Sequence, residues 1–350
     1  PVVRRWAKLL LWRHDPDLPF HASQQEDYGQ VQALLDNRFS GWLAGHYAPL
    51  ANLRLPTPHH LFHVPGYLAH IRQPNQRVAL LIMDGMALAD WLLIRARWQD
   101  RHPHWRFDEQ LLLAQVPTIT AISRQALVSG RRPVDFADSL THNRHEARHW
   151  RQFWRAQGLA DNASPLLSLP DRAHAREGLA TYPAEIESIH TQALCCISPV
   201  IDRMLHSATQ GAGDLLASVR VWLQEGSPWL EGLMQTLLET DYTIFLTSDH
   251  GHVEAIGCGQ PQEGVAVETR SKRARIYDNV DFAKRVHTDY PDTILWHDDG
   301  LLPPNRWALT PGGRQAFAPV GERVVSHGGT SIEEVVTPLV RITKGSFSYT

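Results

Sequence analysis

The sequence predicts an α/β sandwich: a mainly parallel central sheet flanked by helices. Three observations carry that expectation. Residues 78–83 (Val-Ala-Leu-Leu-Ile-Met) and 242–247 (Tyr-Thr-Ile-Phe-Leu-Thr) are apolar runs with polar borders, the pattern of strands buried on both faces. Helical spacing accompanies them, over Met86 to about Gln99 and at Trp229, Leu230, Leu233, Leu237 and Leu238. Both runs end in ionisable residues, Asp84-Gly85 and Ser248-Asp249-His250-Gly251, as expected where parallel strands deliver binding groups to their carboxyl edge.

Taken in chain order, residues 1–70 are expected to form a helical N-terminal segment, possessing Trp6, Trp12 and Trp42 among scattered apolar positions. Residues 71–350 then form the α/β domain. Asp202 to His206 continues an apolar helix, and Glu334 to Ile342 is a third strand in which Pro338 favours an edge or a strand end. The stretch of about 138–185 is polar, rich in Arg and His and without buried-strand signals, so it is expected to be a helical cap over the site.

The bulk composition narrows the function. A net charge of −3 gives no footprint for sequence-independent nucleic-acid binding. The best candidate for a local basic groove is R-S-K-R-A-R at Arg270–Arg275, read first as a solvated loop. Three cysteines cannot build a disulfide framework and point to a reducing compartment. No apolar run reaches the roughly 18 residues that a membrane span needs. Opening on Pro1, the chain is expected to be a piece of a longer one. Twenty histidines make metal chemistry worth a search.

Cleaving a phosphate ester with two metal ions calls for oxygen and imidazole donors, a nucleophile against one ion, and a helix N-terminus for the phosphoryl anion. The chain supplies each part. Asp84 follows the first strand; Pro117-Thr-Ile-Thr-Ala-Ile-Ser123 is a hydroxyl-rich turn opening a helix that Gly130 ends. Asp202 and His206 are four apart on one helix face. Asp249-His250 follows the second strand, and Ser326-His327-Gly328-Gly329 puts a further histidine on a glycine turn.

The order of these elements resembles the nucleotide pyrophosphatase/phosphodiesterase branch of the alkaline-phosphatase superfamily. The wording V-P-T-I-T-A-I-S-R-Q-A-L-V-S-G, S-D-H-G-H-V-E and S-H-G-G-T-S-I-E-E-V-V-T-P-L resembles PglZ domains in particular, over roughly residues 77–345. The resemblance implies an alkaline-phosphatase-like sandwich. It also implies that Asp84, Thr120, Asp249 and His250 hold one metal, with Thr120 as nucleophile, and that Asp202, His206 and His327 hold another. Zinc is the implied ion, with manganese an alternative. The implied setting is a cytoplasmic BREX-type anti-phage system beside a DNA methyltransferase and an ATPase, with a phosphodiester, nucleotide or nucleic acid as substrate and no membrane association.

Two features depart from that pattern. Relatives carry Pro-Asn after the nucleophile, whereas this chain has Ile122-Ser123, so Ser123 or Arg124 is expected to contact the phosphoryl group. Thr118 and Ser123 also stand as possible nucleophiles. His145-Glu-Ala-Arg-His149 matches the H-E-x-x-H metalloprotease pattern, with Glu177 or Glu185 as possible third ligand, but its surroundings are strongly polar. A second reading of the whole chain is a scaffold subunit that binds metal or nucleotide with little turnover.

Overall fold

The alternation of side chains along each central strand explains the architecture. Val78, Leu80 and Ile82 of β1 (Arg77–Met83) enter one apolar layer, while Ala79, Leu81 and Met83 enter the layer on the other face. A strand buried on both faces must lie inside a sheet covered on both sides. In this computed structural model, which describes residues 2–18, 20–170, 184–262, 269–296 and 300–345, β1 is a central strand.

The main sheet also contains β2 (Trp105–Leu113), β3 (Leu166–Ser168), β4 (Ala193–Ser198), β5 (Tyr242–Thr247) and, last in the chain, β13 (Val336–Lys344). Their order is β2-β13-β5-β1-β4-β3. β1 pairs parallel with β4 and β5, and β3 with β4; β13 runs antiparallel to both β2 and β5. Pro338, expected at an edge or a strand end, is the third residue of β13, which is an internal strand. The β5 ladder begins only at Leu339, one residue beyond it, and the Pro338 carbonyl accepts a 2.7 Å bond from Thr247 Oγ1.

One face is covered by α1 (Val2–Arg13), α4 (Leu88–Arg101), α8 (Val200–Ser207), α9 (Ala212–Glu225) and α10 (Ser227–Glu239). The other is covered by α3 (Val64–Ile71), α5 (Thr120–Ser129) and α6 (Glu146–Ala156). The long α2 (Ala22–Ala51) packs in a third apolar cluster with Tyr28, Leu43 and Tyr47. Within 138–185, the described residues give α6, the edge strand β3 and α7 (Ala184–Glu187); 171–183 lie outside them. Trp150 and Trp154 of α6 are buried against the sheet, so this helix is part of the flanking layer.

Between β5 and β13 the chain builds two small sheets. One joins β6 (Val253–Gly257), β11 (Gln315–Ala316) and β12 (Arg323–Ser326). The other has β7 (Thr269–Arg270), β8 (Arg275–Tyr277), β9 (Thr293–Trp296) and β10 (Trp307–Pro311), with α11 (Val280–Asp289) alongside. The short α12 (Ile332–Val335) then leads into β13. Among the described residues no helix is long and apolar enough to cross a membrane.

Candidate active site

The sheet brings the candidates to one edge. Asp84 directly follows β1, and Asp249-His250 come just after β5. Pro199 ends β4 and opens α8, which places Asp202 and His206 beside them; the Asp202 N–H donates to the Asp84 carbonyl at 3.1 Å. Because β13 is antiparallel, it begins at the edge where its parallel neighbours finish, and the turn before it delivers His327. Gly85, at φ +73°, makes the turn that lets its N–H reach Asp249 Oδ1 at 3.1 Å. Gly251 has another reason to be glycine: a Cβ there would sit 2.0 Å from the Glu333 carbonyl.

Two donor trios result. Asp84, Asp249 and His250 bring one ligand atom each within 4.8 Å of one another, and Asp202, His206 and His327 do likewise. The rings of His250 and His327 stack at 3.9 Å with planes 9° apart, so the trios share a wall. His206 Nε2 is 3.5 Å and His327 Nε2 4.0 Å from Asp202 Oδ1.

The donor set fits divalent cations. Asp84 Oδ1, Asp249 Oδ2 and Asp202 Oδ1 are buried with no hydrogen-bond partner among the described residues. Unsatisfied buried carboxylate oxygens are costly unless something cationic meets them. His250 Nδ1 bonds the Gly251 carbonyl at 3.0 Å and His327 Nδ1 the Thr118 carbonyl at 2.9 Å. A carbonyl only accepts, so each Nδ1 carries the proton and each Nε2 keeps its lone pair for the site.

The three hydroxyls are sorted by their partners. Thr118 Oγ1 donates to the Gly329 carbonyl at 3.0 Å and accepts from the Gly328 N–H at 2.9 Å. Ser123 is fully buried; its Oγ donates to the Asp249 carbonyl and accepts from the Gln115 N–H at 3.0 Å. Neither is presented to a substrate, which removes the geometric basis for the phosphoryl contact expected of Ser123. Thr120, first residue of α5, is partly exposed and directs Oγ1 at His250 Nε2, 2.9 Å away.

Arg124 also differs from expectation. One turn along α5, it is buried; its Nη1 bonds Asp84 Oδ2 and lies 3.8 Å from Asp249 Oδ2, while Nε bonds Glu146 Oε1 at 2.8 Å. It acts as an internal counter-charge to the carboxylates, and its planar fork is committed to them. The same contact answers the H-E-x-x-H pattern. Glu146 is taken up by Arg124, and among the described residues His145 and His149 join no group of converging ligands. Glu185 is exposed, and Glu177 lies outside the described residues.

Burial, and then the Asp249 charge, push the Asp84 carboxyl up to about 7 despite Arg124; burial likewise pushes Asp249 up to about 6. His327 is driven down to about 4 by burial and by His250. Burial opposes ionisation of Asp202 too, but His206 beside it and the His327 and His250 rings outweigh this and hold it below the ordinary value. A carboxyl raised from 3.8 to about 7 adds stability below its unfolded value and loses it as pH rises towards 7. Chelator-treated protein should therefore lose stability between pH 4 and 7 more steeply than its Asp84→Asn variant, in thermal melts across that range. Equal slopes would remove Asp84 as the cause.

Beneath the His327 turn lies an ion pair that sequence reading missed. Arg273 and Glu334 are both fully buried and joined at 2.8 Å, and the Glu334 carboxylate also accepts from the N–H groups of Gly329 (2.8 Å) and Ser331 (3.0 Å). Two cations of R-S-K-R-A-R are not solvated: Arg273 is internal, and Arg275 is buried with Nη1 on the Ser271 and Ala274 carbonyls. The Arg270 side chain lies outside the described residues. The available signal was Ser331-x-x-Glu334, a capping-box pattern. A second missed contact is His252 Nε2 on Asp90 Oδ2 at 2.7 Å.

The sequence matches the family described as "BREX system PglZ alkaline phosphatase-like domain" over residues 68–342. No curated protein matches it. Among solved structures it is similar to murine ectonucleotide pyrophosphatase/phosphodiesterase 5, with 12% identity and a TM-score of 0.53, over 77% of this chain and 88% of that one. The inactive threonine-to-alanine form of that murine protein, in complex with AMP, gives the same four values: 12%, 0.53, 77% and 88%. Phosphonoacetate hydrolase from Sinorhizobium meliloti is similar at 10% identity and a TM-score of 0.46, over 79% and 92%. The fold is alkaline-phosphatase-like, and the chain belongs to the PglZ family of alkaline-phosphatase-like domains of BREX systems.

Proposed function

We propose that this PglZ domain is a metal-dependent phosphoric ester hydrolase acting on a phosphodiester, with Thr120 as nucleophile. The observation that carries the reading is the pair of adjoining trios, Asp84–Asp249–His250 and Asp202–His206–His327, with unpartnered carboxylate oxygens and Thr120 Oγ1 against the first. Asp84, Thr120, Asp249 and His250 would hold one ion and Asp202, His206 and His327 the other. The mixed imidazole and carboxylate set suits zinc, with manganese as an alternative. Bound there, divalent ions would lower the pKa of the Thr120 hydroxyl and stabilise charge developing on the phosphoryl oxygens.

The chain's own residues perform the remaining work. The contact with His250 Nε2 places Thr120 Oγ1 at the first trio, where the Nε2 lone pair and the Thr120 oxygen can meet the same bound ion. With its proton given up to solvent, the oxygen attacks phosphorus in line, forming phosphothreonine as the bond to the leaving alkoxide breaks, and the alkoxide takes a proton from water. Water then attacks the same phosphorus, restoring Thr120 and releasing a phosphomonoester. The first N–H groups of a helix lack intrahelical partners, so the start of α5 offers the phosphoryl oxygens the contact that the missing asparagine would give. Arg124, held by Glu146, offsets the two carboxylates beneath. That a murine relative is inactive as a threonine-to-alanine form and is found with AMP accords with this assignment. The family's BREX setting supports a cytoplasmic role in phage defence, with a DNA methyltransferase and an ATPase as partner subunits.

Metal content by mass spectrometry, on wild type beside Asp249→Asn and His145→Ala, tests the site. We expect zinc or manganese to be retained by wild type and His145→Ala and reduced in Asp249→Asn, with turnover of an aryl phosphodiester following the same order. Metal retained in Asp249→Asn and lost from His145→Ala would overturn the reading. Metal bound with no turnover of any phosphoester would favour the scaffold.

A further inference from the structure

A third donor cluster lies apart from the active site. His59, His60 and His63 bring one ring nitrogen each within 4.8 Å of one another. They follow α2 and precede the matched segment 68–342. His60 is fully buried, whereas His59 and His63 are partly exposed. The three ring planes are close to mutually perpendicular, at 82°, 73° and 83°, with centroids 4.3 to 5.8 Å apart. Imidazoles packed for apolar burial alone have no need to point their nitrogens at a common centre.

The hydrogen bonds set which nitrogens face inward. His59 Nε2 bonds the Leu53 carbonyl at 3.1 Å and must donate, which leaves the Nδ1 lone pair directed at His60 Nδ1, 2.9 Å away. His63 Nδ1 accepts the His60 backbone N–H at 3.4 Å, a long contact from which an ion could take over the same lone pair. His60 Nε2 is buried with no hydrogen-bond partner among the described residues. His59 has the usual arrangement of an imidazole metal ligand, its outer nitrogen on a carbonyl and its inner one unprotonated, and because His60 Nδ1 is then the donor to His59, the lone pair of His60 is on Nε2. His59 and His63 line a cavity of 570 Å³ whose wall also carries Arg54, Arg131, Arg132 and Asp135, which leaves room for a water as fourth ligand.

We propose that His59, His60 and His63 form an additional metal site for a late first-row divalent cation, Zn²⁺ in the first instance. With three imidazoles and no carboxylate in the trio, the donor set suits Zn²⁺, Co²⁺, Ni²⁺ or Cu²⁺ and disfavours Mg²⁺, Ca²⁺ and Mn²⁺. Its place in the fold gives it a structural role. The Leu113 N–H, at the end of β2, donates to the His59 carbonyl at 2.8 Å, and His60 bridges Leu113. An ion here would fasten the chain leaving α2 to the main sheet.

The test counts zinc on a background in which one donor of each active-site trio is replaced, and it reads only the change made by the His59 and His63 variants, so it stands independently of the phosphatase reading. Full-length Asp249→Asn/His327→Gln protein is stripped with chelator, given Zn²⁺ and desalted, and its metal is measured by mass spectrometry. It should keep one equivalent, and Zn²⁺ should raise its melting temperature. Adding His63→Gln or, separately, His59→Gln should remove both the equivalent and the thermal shift. These two residues are chosen because they are partly exposed, and circular dichroism checks that the variants remain folded. An unchanged zinc count in both folded variants would overturn the site, as would a background protein that retains no zinc.

Discussion

Thr120→Ala should lower kcat/KM for an aryl phosphodiester by about 10⁴-fold, the scale of loss when a covalent nucleophile is deleted. The fold should tolerate the change. Thr120 is partly exposed at the first position of α5, and its Oγ1 contact is with His250 rather than with a structural backbone group. Thr120→Ser keeps the oxygen and should recover most of the rate. The neighbouring hydroxyls provide the contrast. Thr118→Ala and Ser123→Ala each leave buried backbone groups unpaired, which costs about 1–3 kcal/mol of stability. Their losses should therefore appear in thermal melts first and in kinetics only through misplacement of the site. A folded, metal-loaded Thr120→Ala protein turning over at the wild-type rate would end the nucleophile assignment.

That contrast shows what was legible beforehand. Asp84 and Asp249-His250 could be read because β1 and β5 are long, apolar and abruptly ended, and a charge pair closing a buried strand has few structural uses. Asp202 and His206 could be read from their four-residue spacing on an amphipathic helix. Which hydroxyl faces the site could not, since Thr118, Thr120 and Ser123 differ only in what long-range neighbours they meet. Gly328 and Gly329 claim Thr118, and Asp249 claims Ser123; both arrive from far along the chain.

The unread strands have physical reasons as well. β3 is three residues long and β7 and β11 two each, too short for any period to register. β2 is polar through its middle, Asp108-Glu109-Gln110, before a short Leu111–Leu113 run, and β4, Ala-Leu-Cys-Cys-Ile-Ser, is a six-residue run that periodicity alone cannot separate from a buried helix segment. Pro338 is tolerated in an internal strand because it lies near the start of β13, whose ladder with β5 begins one residue later. The Arg124–Glu146 pair was hidden by α5 and α6 packing together, and the H-E-x-x-H pattern drew Glu146 to another role.

Glu334→Ala should be the most destabilising single change near the site. The carboxylate accepts from Arg273 Nε (3.2 Å) and Nη2 (2.8 Å) and from the N–H groups of Gly329 and Ser331, with both side chains fully buried. Removing one partner strands a buried guanidinium, at a cost of about 3–5 kcal/mol. For a chain of 350 residues, at about 2.1 cal/mol/K of unfolding entropy per residue, that corresponds to a fall in Tm of roughly 4–7 °C. The effect should extend to activity, because Gly329 is two residues from His327, and a loosened turn misplaces a donor of the second trio. Stability and positioning can be separated by replacing both partners, Arg273→Met with Glu334→Leu, which removes the charges together and should restore much of the melting temperature. Activity should remain low in that double variant, since no carboxylate is left to hold the Gly329 and Ser331 N–H groups. Recovery of activity along with stability would mean that the pair only neutralises charge; a Glu334→Ala melt within a degree of wild type would mean that the pair supports neither.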